Sequence, residues 1–142
     1  MKKHKIEGVV SGAVKSIYQA SRIQRVCNEL GIECFNPFWM RDEEEHLLDI
    51  LKRRFHCIVT KVSAYGFGKD WAGRDIDSAF MFDIKKLREK YGVSLVGEGG
   101  EYESFVLDAP LFKKRIVLKK QDVIVSKDSS QLEIKKIALE KK

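Results

Sequence analysis

A chain of 142 residues is long enough for one domain with a real core and too short for two large ones. Its apolar fraction of 44% and charged fraction of 34% are those of a soluble globular protein, and apolar runs of only a few residues exclude a membrane-spanning helix. The net charge of +6 belongs to the tail: residues 113–142 carry ten Lys/Arg against four Asp/Glu, and the rest balances. No aromatic residue follows Phe112, so stacking platforms for single-stranded nucleic acid are missing there and direct nucleic-acid binding is not expected. The tail reads as the solvated face of amphipathic strands, with docking of an acidic or RNA-associated partner as its second use.

The stretch from Met1 to Glu7 has no apolar segment behind its charges and does not make a secretory leader. Cys27, Cys34 and Cys57 are odd in number and lack CxxC spacing, so they read as reduced thiols of a cytoplasmic protein rather than a zinc site or disulfide frame. His4, His46 and His56 are too scattered to argue for a metal site.

Ile6–Val10 predicts a short strand ending at Ser11-Gly12. From Ser16 to Leu30, apolar residues at Ile17, Ala20, Ile23, Val26, Cys27 and Leu30 follow a helical period, which Gly31 is placed to end. Ile32–Phe38 predicts a second strand closed by Asn36-Pro37. Strand, helix, strand in this order predicts one unit of a parallel α/β sheet. Between them, Ser11-Gly12-Ala13-Val14-Lys15-Ser16 is too poor in glycine for a Walker or pyrophosphatase loop. It is a strand-to-helix turn capped by Ser11 or Ser16, or a helix N-terminus that meets a nucleotide. Tyr18, Gln19 and Arg22 lie on the first turns of that helix, with Gln19 and Arg22 on one face. They either reach a nucleotide or are solvated.

Asp42 is placed to cap a helix with Glu43, Glu44 and Glu45 in its first turn and Leu47, Leu48, Ile50 and Leu51 on its apolar face. Arg41 before it is either a substrate or phosphate contact or part of a local ion pair. Phe55–Val62 predicts a buried strand, in which the Lys61 amine needs a carboxylate partner or a way out to solvent. Residues 63–76 form a long glycine-containing loop of the kind that is often functional. A helix over Asp77–Tyr91 follows, with Phe80, Ile84 and Leu87 on one side, then strands over Val93–Val96 and Ser104–Leu107. The tail segments Ile116–Leu118, Val123–Val125 and Leu132–Ile137 predict a β-meander turned at Lys127–Ser130. Asp108 before Ala109-Pro110 reads as a turn former.

Gly97 to Ser104 packs three glutamates and three glycines into eight residues. No core or turn needs that combination. Glu98, Glu101 and Glu103, with no base between them, form a small anionic site, and Gly97, Gly99 and Gly100 let a ligand approach the backbone. The alternatives are a contact to a cation and a turn in which the glutamates cap backbone amides. If the segment is extended, Glu101 and Glu103 share one face and Tyr102 takes the other.

Set together, several blocks resemble the diphthine–ammonia ligase family of ATP-pyrophosphatase-like proteins. They are Gly8-Val9-Val10-Ser11-Gly12-Ala13, Tyr18-Gln19-x-x-Arg22, Val26-Cys27-x-x-Leu30-Gly31, Pro37-x-Trp39-x-Arg41-Asp42, Val59-x-Lys61-Val62, Gly97–Glu103 and Val106–Lys114. The last two carry most of the specificity. The resemblance implies an α/β chain: a partial Rossmann-like (HUP-type) parallel unit ending the nucleotide-binding domain at 1–38, then a small α+β substrate-recognition domain at 39–142 with a β-meander tail. It implies adenylation of the diphthine carboxylate on translation elongation factor 2 with ATP and Mg2+, followed by attack of ammonia to give diphthamide.

Amide formation of that kind needs a neutral amine, which a carboxylate that binds ammonium and takes its proton would supply. Diphthine also carries a fixed trimethylammonium group, suited to carboxylates or an aromatic ring. Glu98, Glu101 and Glu103 are therefore the expected catalytic residues, with Gly97, Gly99, Gly100, Tyr102 and Arg41 against the substrate. Ser11, Gly12, Tyr18, Gln19 and Arg22 are expected on the nucleotide side. The family's SGGKDS-type loop lies upstream of every block found, so this chain resembles the second portion of the ligase. Met1 is then an internal start, a truncation or the start of a separately encoded half, and the missing N-terminal half becomes an expected partner. A homo-oligomer is compatible with the same pattern. The competing expectation is a non-catalytic module derived from the ligase that docks elongation factor 2 or RNA.

Overall fold

The computed structural model describes residues 5–142. The amino-terminal reading against a leader and His4 fall outside the described residues. The chain is α/β and divides into two compact units, the first running to His46 and the second from Leu47 to Lys142.

In the first unit β1 (Gly8–Val10) and β2 (Glu33–Phe35) pair in parallel, Gly8 opposite Glu33 and Val10 opposite Phe35, with α1 (Ile17–Leu30) as the crossover. Ser16 caps α1 by accepting from Gln19 N–H at 3.3 Å, and Gly31, left-handed at φ 64°, ends it. Of the helical apolar positions only Cys27 is fully buried. Burial raises the Cys27 thiol pKa above its ordinary value, and neighbouring Cys34 adds to the effect. Val9, Val10, Val26, Leu30 and Phe35 stay exposed, and an apolar groove of about 370 Å3 runs along Val9, Ile23, Val26 and Leu30. Parallel sheets are usually covered on both faces, and this two-stranded one leaves that apolar surface open.

The division between the units falls within α2 (Glu43–Lys52), whose cap Asp42 accepts from Glu44 and Glu45 N–H at 2.9 and 3.0 Å. The second unit is a four-stranded sheet in the order β4-β3-β6-β5, with β3 at His56–Val62, β4 at Tyr102–Asp108, β5 at Lys114–Val125 and β6 at Ser130–Lys141. All its pairings are antiparallel. Asp77 caps α3 (Ser78–Tyr91) through Phe80 N–H at 2.8 Å. Helix α3 brings Phe80, Met81 and Ile84 to a core with Val59, Trp71 and Tyr102. Phe80 and Ile84 are wholly buried, and Phe80 meets Trp71 and Tyr102 edge-on with ring centroids 5.4 Å away in each case.

Two predicted elements differ. Val93–Val96 is not a strand. Val93 and Leu95 alternate inward as a strand would, but the backbone between them turns and bonds to side chains, Ser94 N–H to Glu101 and Leu95 C=O to Tyr102. The tail is one long hairpin rather than a three-stranded meander, because Ile116–Leu118 and Val123–Val125 belong to the single strand β5. Its register slips between Leu118 and Gln121, at the polar run that separates the two apolar triplets. The backbone pairing of β6 with β3 is short, at Lys61–Gln131 and Val62–Ser130. Further along, β3's edge is taken by the end of the long loop: Gly73 N–H donates to Val59 C=O at 2.8 Å, and Ile76 N–H to Cys57 C=O at 2.8 Å. A second, smaller core of Ile58, Leu107 and Leu132 fills the space beneath the hairpin.

Ion pairs fasten the second unit. Arg74 Nη2 donates to Asp83 Oδ2 at 2.8 Å, and Lys142 Nζ lies 2.6 Å from Asp108 Oδ1. The Arg74 bond holds Asp83 below the usual carboxylate range, and Lys142 does the same for Asp108. Both groups have pKa values depressed by folding. Their contribution is therefore complete above the ordinary aspartate value of about 3.9 and is lost as pH falls through the lowered values. Urea midpoints measured across the acid range should fall as pH drops below about 4, and Asp83→Asn should flatten that decline. An unchanged pH slope in the variant would exclude this pair as a source.

Candidate functional site

The glycine–glutamate segment is a loop between α3 and β4. Gly92, at φ 72°, ends the helix, and buried Val93 and Leu95 anchor the chain to the core. Gly100 N–H donates to Gly97 C=O at 3.0 Å to close a turn. Gly97 has φ 72°, and a Cβ there would lie 2.8 Å from the Tyr102 carbonyl oxygen, so both conformation and space require glycine. Ser94 Oγ accepts from Val96 N–H at 3.2 Å and Glu98 N–H at 3.3 Å.

The three carboxylates have different surroundings. Glu101 precedes β4 and turns back into the loop, its Oε1 accepting from Ser94 N–H at 2.8 Å and its Oε2 from Gly99 N–H at 2.9 Å. Its carbonyl accepts from Ser63 N–H at 2.9 Å, which ties this loop to the start of the long loop after β3. Glu103 lies on β4 directly opposite Lys61 on β3, with Nζ to Oε1 at 3.5 Å. The Lys61 amine thus has the carboxylate partner that its apolar strand demanded. Glu98 is half-buried near the loop apex, and Glu103 is exposed. Like charges this close call for compensation, and for Glu101 and Glu103 it comes from within the chain.

Tyr102 points inward, 7% exposed, its hydroxyl donating to Leu95 C=O at 2.8 Å and its ring against Phe80. The ring is part of the core and positions the loop from below, so it does not offer the surface contact expected of it. Glu101 and Glu103 do not share a strand face either, because Glu101 lies before the strand and bends back.

The remaining expected residues are in the first unit. Ser11 is buried, its N–H donating to Phe35 C=O at 2.9 Å and its Oγ accepting from Ala13 N–H at 3.2 Å. Gly12 is exposed with open space around its Cα. Tyr18 is exposed with the Arg22 guanidinium stacked over its ring at 4.0 Å, and Gln19 is exposed beside them. Arg41 sits with its guanidinium 5.7 Å from the Phe38 ring centroid. Sequence reasoning missed Ser63 and Ser94, which brace the glycine–glutamate loop. Both are single serines without a motif, and only the turn geometry reveals them.

Among the described residues no helix is long and apolar enough to cross a membrane. The family model for the diphthamide synthase C-terminal domain matches residues 42–139, and that for the diphthamide synthase N-terminal domain matches residues 1–34. The chain is 37% identical over 124 residues to the diphthine–ammonia ligase of Homo sapiens, covering 87% of this chain and 46% of that protein. It is 37% identical over 123 residues to the Bos taurus diphthine–ammonia ligase, covering 86% and 46%. Against the Schizosaccharomyces pombe diphthine–ammonia ligase it is 40% identical over 120 residues, 84% of this chain and 20% of that protein. The chain thus spans about half the length of the vertebrate relatives it matches (46–49%) and less of the yeast ones. With the glycine–glutamate loop inside a match that runs from residue 42 to residue 139, the protein belongs to the diphthamide synthase family.

Proposed function

We propose that this chain supplies the substrate-recognition part of an ATP-dependent diphthine–ammonia ligase, acting on diphthine of translation elongation factor 2 and completed by a nucleotide-binding segment that carries the SGGKDS-type loop. The observation that supports this most is the braced glycine–glutamate loop, which lies within the C-terminal family match and holds Glu98 and Glu103 on a backbone fixed by Glu101. Glu98 and Glu103 bind the cationic substrate or ammonium, and one of them takes the proton that frees the amine. Glu101 keeps the loop in register, and Tyr102 holds it from the core side.

ATP with Mg2+ would activate the carboxylate for amidation in the completed enzyme. The Ser11–Ser16 turn by itself does not fit a triphosphate cradle, because the Ser11 amide and hydroxyl and the Ser16 hydroxyl are already engaged within the chain. Gly12 and the exposed Tyr18, Gln19 and Arg22 face remain this unit's contribution to the nucleotide side. The apolar groove of α1 and the open β1–β2 sheet are what a further parallel α/β segment would cover.

Reconstitution tests the reading. The chain alone should not amidate diphthine-bearing elongation factor 2 with ATP, Mg2+ and ammonium, whereas adding a polypeptide with the SGGKDS-type loop should restore the reaction. Glu98→Gln and Glu103→Gln should each lower the restored rate at least about tenfold, read from the mass of the modified histidine. Binding to elongation factor 2 without amidation in any combination would favour the non-catalytic docking module. Full activity in both variants would remove the two glutamates from the chemistry.

A further inference from the structure

In the second unit the loop Ser63–Lys69 and the turn joining β5 to β6 face each other across a cavity of about 450 Å3. That is the size of a small-molecule site. Ser130, the first residue of β6, lines it and is 2% exposed, yet its hydroxyl has no hydrogen-bond partner among the described residues. Native proteins rarely keep a buried hydroxyl unpaired unless something else satisfies it. Ser63, Ser126 and Ser129 bring further hydroxyls to the same walls. Lys69 and Lys127 stand against a single acidic side chain, Asp128, and the hairpin that carries Lys127 holds the chain's whole positive excess.

One wall is aromatic. Tyr65 is 84% exposed, and Tyr91 meets its ring edge-on at 5.2 Å and 88°. The chain reaches this arrangement through Gly66 at φ 98°, where any Cβ would overlap the Tyr91 ring. A supported ring with an open face beside lysines and serines suits a ligand that is anionic at one end and planar at the other.

We propose that this cavity binds a phosphate monoester carrying a planar ring, a nucleoside monophosphate being the simplest example. Lys69 and Lys127 neutralise the phosphate, the serine hydroxyls, that of Ser130 included, donate to its oxygens, and Tyr65 stacks on the ring. The site meets the glycine–glutamate loop only where Ser63 N–H bonds to Glu101 C=O, and the side chains tested below lie outside that loop, so the proposal is tested apart from the amidation reading.

The test titrates AMP and inorganic phosphate onto the full chain by calorimetry. AMP should saturate, and bind at least about tenfold tighter than phosphate. Tyr65→Ala should remove AMP's advantage, and Lys127→Ala should weaken AMP about tenfold. Ser130→Ala should weaken AMP while leaving the free protein's thermal midpoint unchanged or higher, because it deletes an unpaired hydroxyl. A merely structural serine would show the reverse, a lower midpoint with unchanged affinity. The proposal is overturned by absence of AMP saturation, by equal affinity for AMP and phosphate, or by affinity indifferent to both Lys127→Ala and Ser130→Ala.

Discussion

Phe80→Ala is expected to destabilise the second unit by about 3–5 kcal/mol, the range for deleting a fully buried aromatic ring. Phe80 is 0% exposed and lies between Trp71 and Tyr102, with the Arg74 guanidinium 5.9 Å from its ring centroid. The neighbours are poorly placed to fill the hole. Tyr102 is held by its hydroxyl bond to Leu95, and Arg74 by its bond to Asp83. A domain's whole stability is about 5–15 kcal/mol, so the variant should be marginal at room temperature. Urea unfolding followed by Trp71 fluorescence measures the loss. A loss under about 1 kcal/mol would mean that the core closes over the gap and that Phe80 is not its centre.

Glu101→Gln should be the most damaging conservative change in the glycine–glutamate loop. An ionised carboxylate accepts from Ser94 and Gly99 at once, whereas an amide has one oxygen and an NH2 group that would confront one of those N–H donors. Hydrogen bonds to charged groups contribute about 1.5–3 kcal/mol each, and the loop retains its Ser94 and Tyr102 braces. The expected result is a folded protein with faster amide exchange at Ser94 and Gly99. In the reconstituted ligase, amidation should fall about a hundredfold, the scale of a misplacement of about 1 Å in a reacting group. Protection at both amides equal to that of the parent would show that the clamp is dispensable.

These two residues mark what was legible in the sequence. The helix over Asp77–Tyr91 that carries Phe80 could be read directly, since Phe80, Ile84 and Leu87 recur there at helical spacing. The same holds for α1, bounded by Ser16 and Gly31. Val93–Val96 was misleading because burial alternates there while the backbone turns, and pattern reports only burial. The tail divided wrongly because the polar run 119–122 interrupts the apolar pattern, although a hairpin strand can expose both faces and continue. The glycine–glutamate segment announced itself, but not the division of labour within it. Whether a glutamate meets solvent or a backbone amide depends on a partner such as Ser94, seven residues away and unmarked. The Ser130 cavity was invisible for the same reason, as its walls come from segments about sixty residues apart.

The slipped register of β5 has a consequence for colloidal behaviour. As the outermost strand, the twelve-residue β5 turns one row of backbone donors and acceptors to β6 and leaves the other, from alternate residues, for another chain to pair with. The irregularity between Leu118 and Gln121 breaks the straight run, and Lys114 and Lys120 add like charges along the strand, whereas Arg115 and Lys119 are held by Glu140 of β6 at 3.2 and 2.9 Å. The strand thereby guards its own edge against pairing with a second copy.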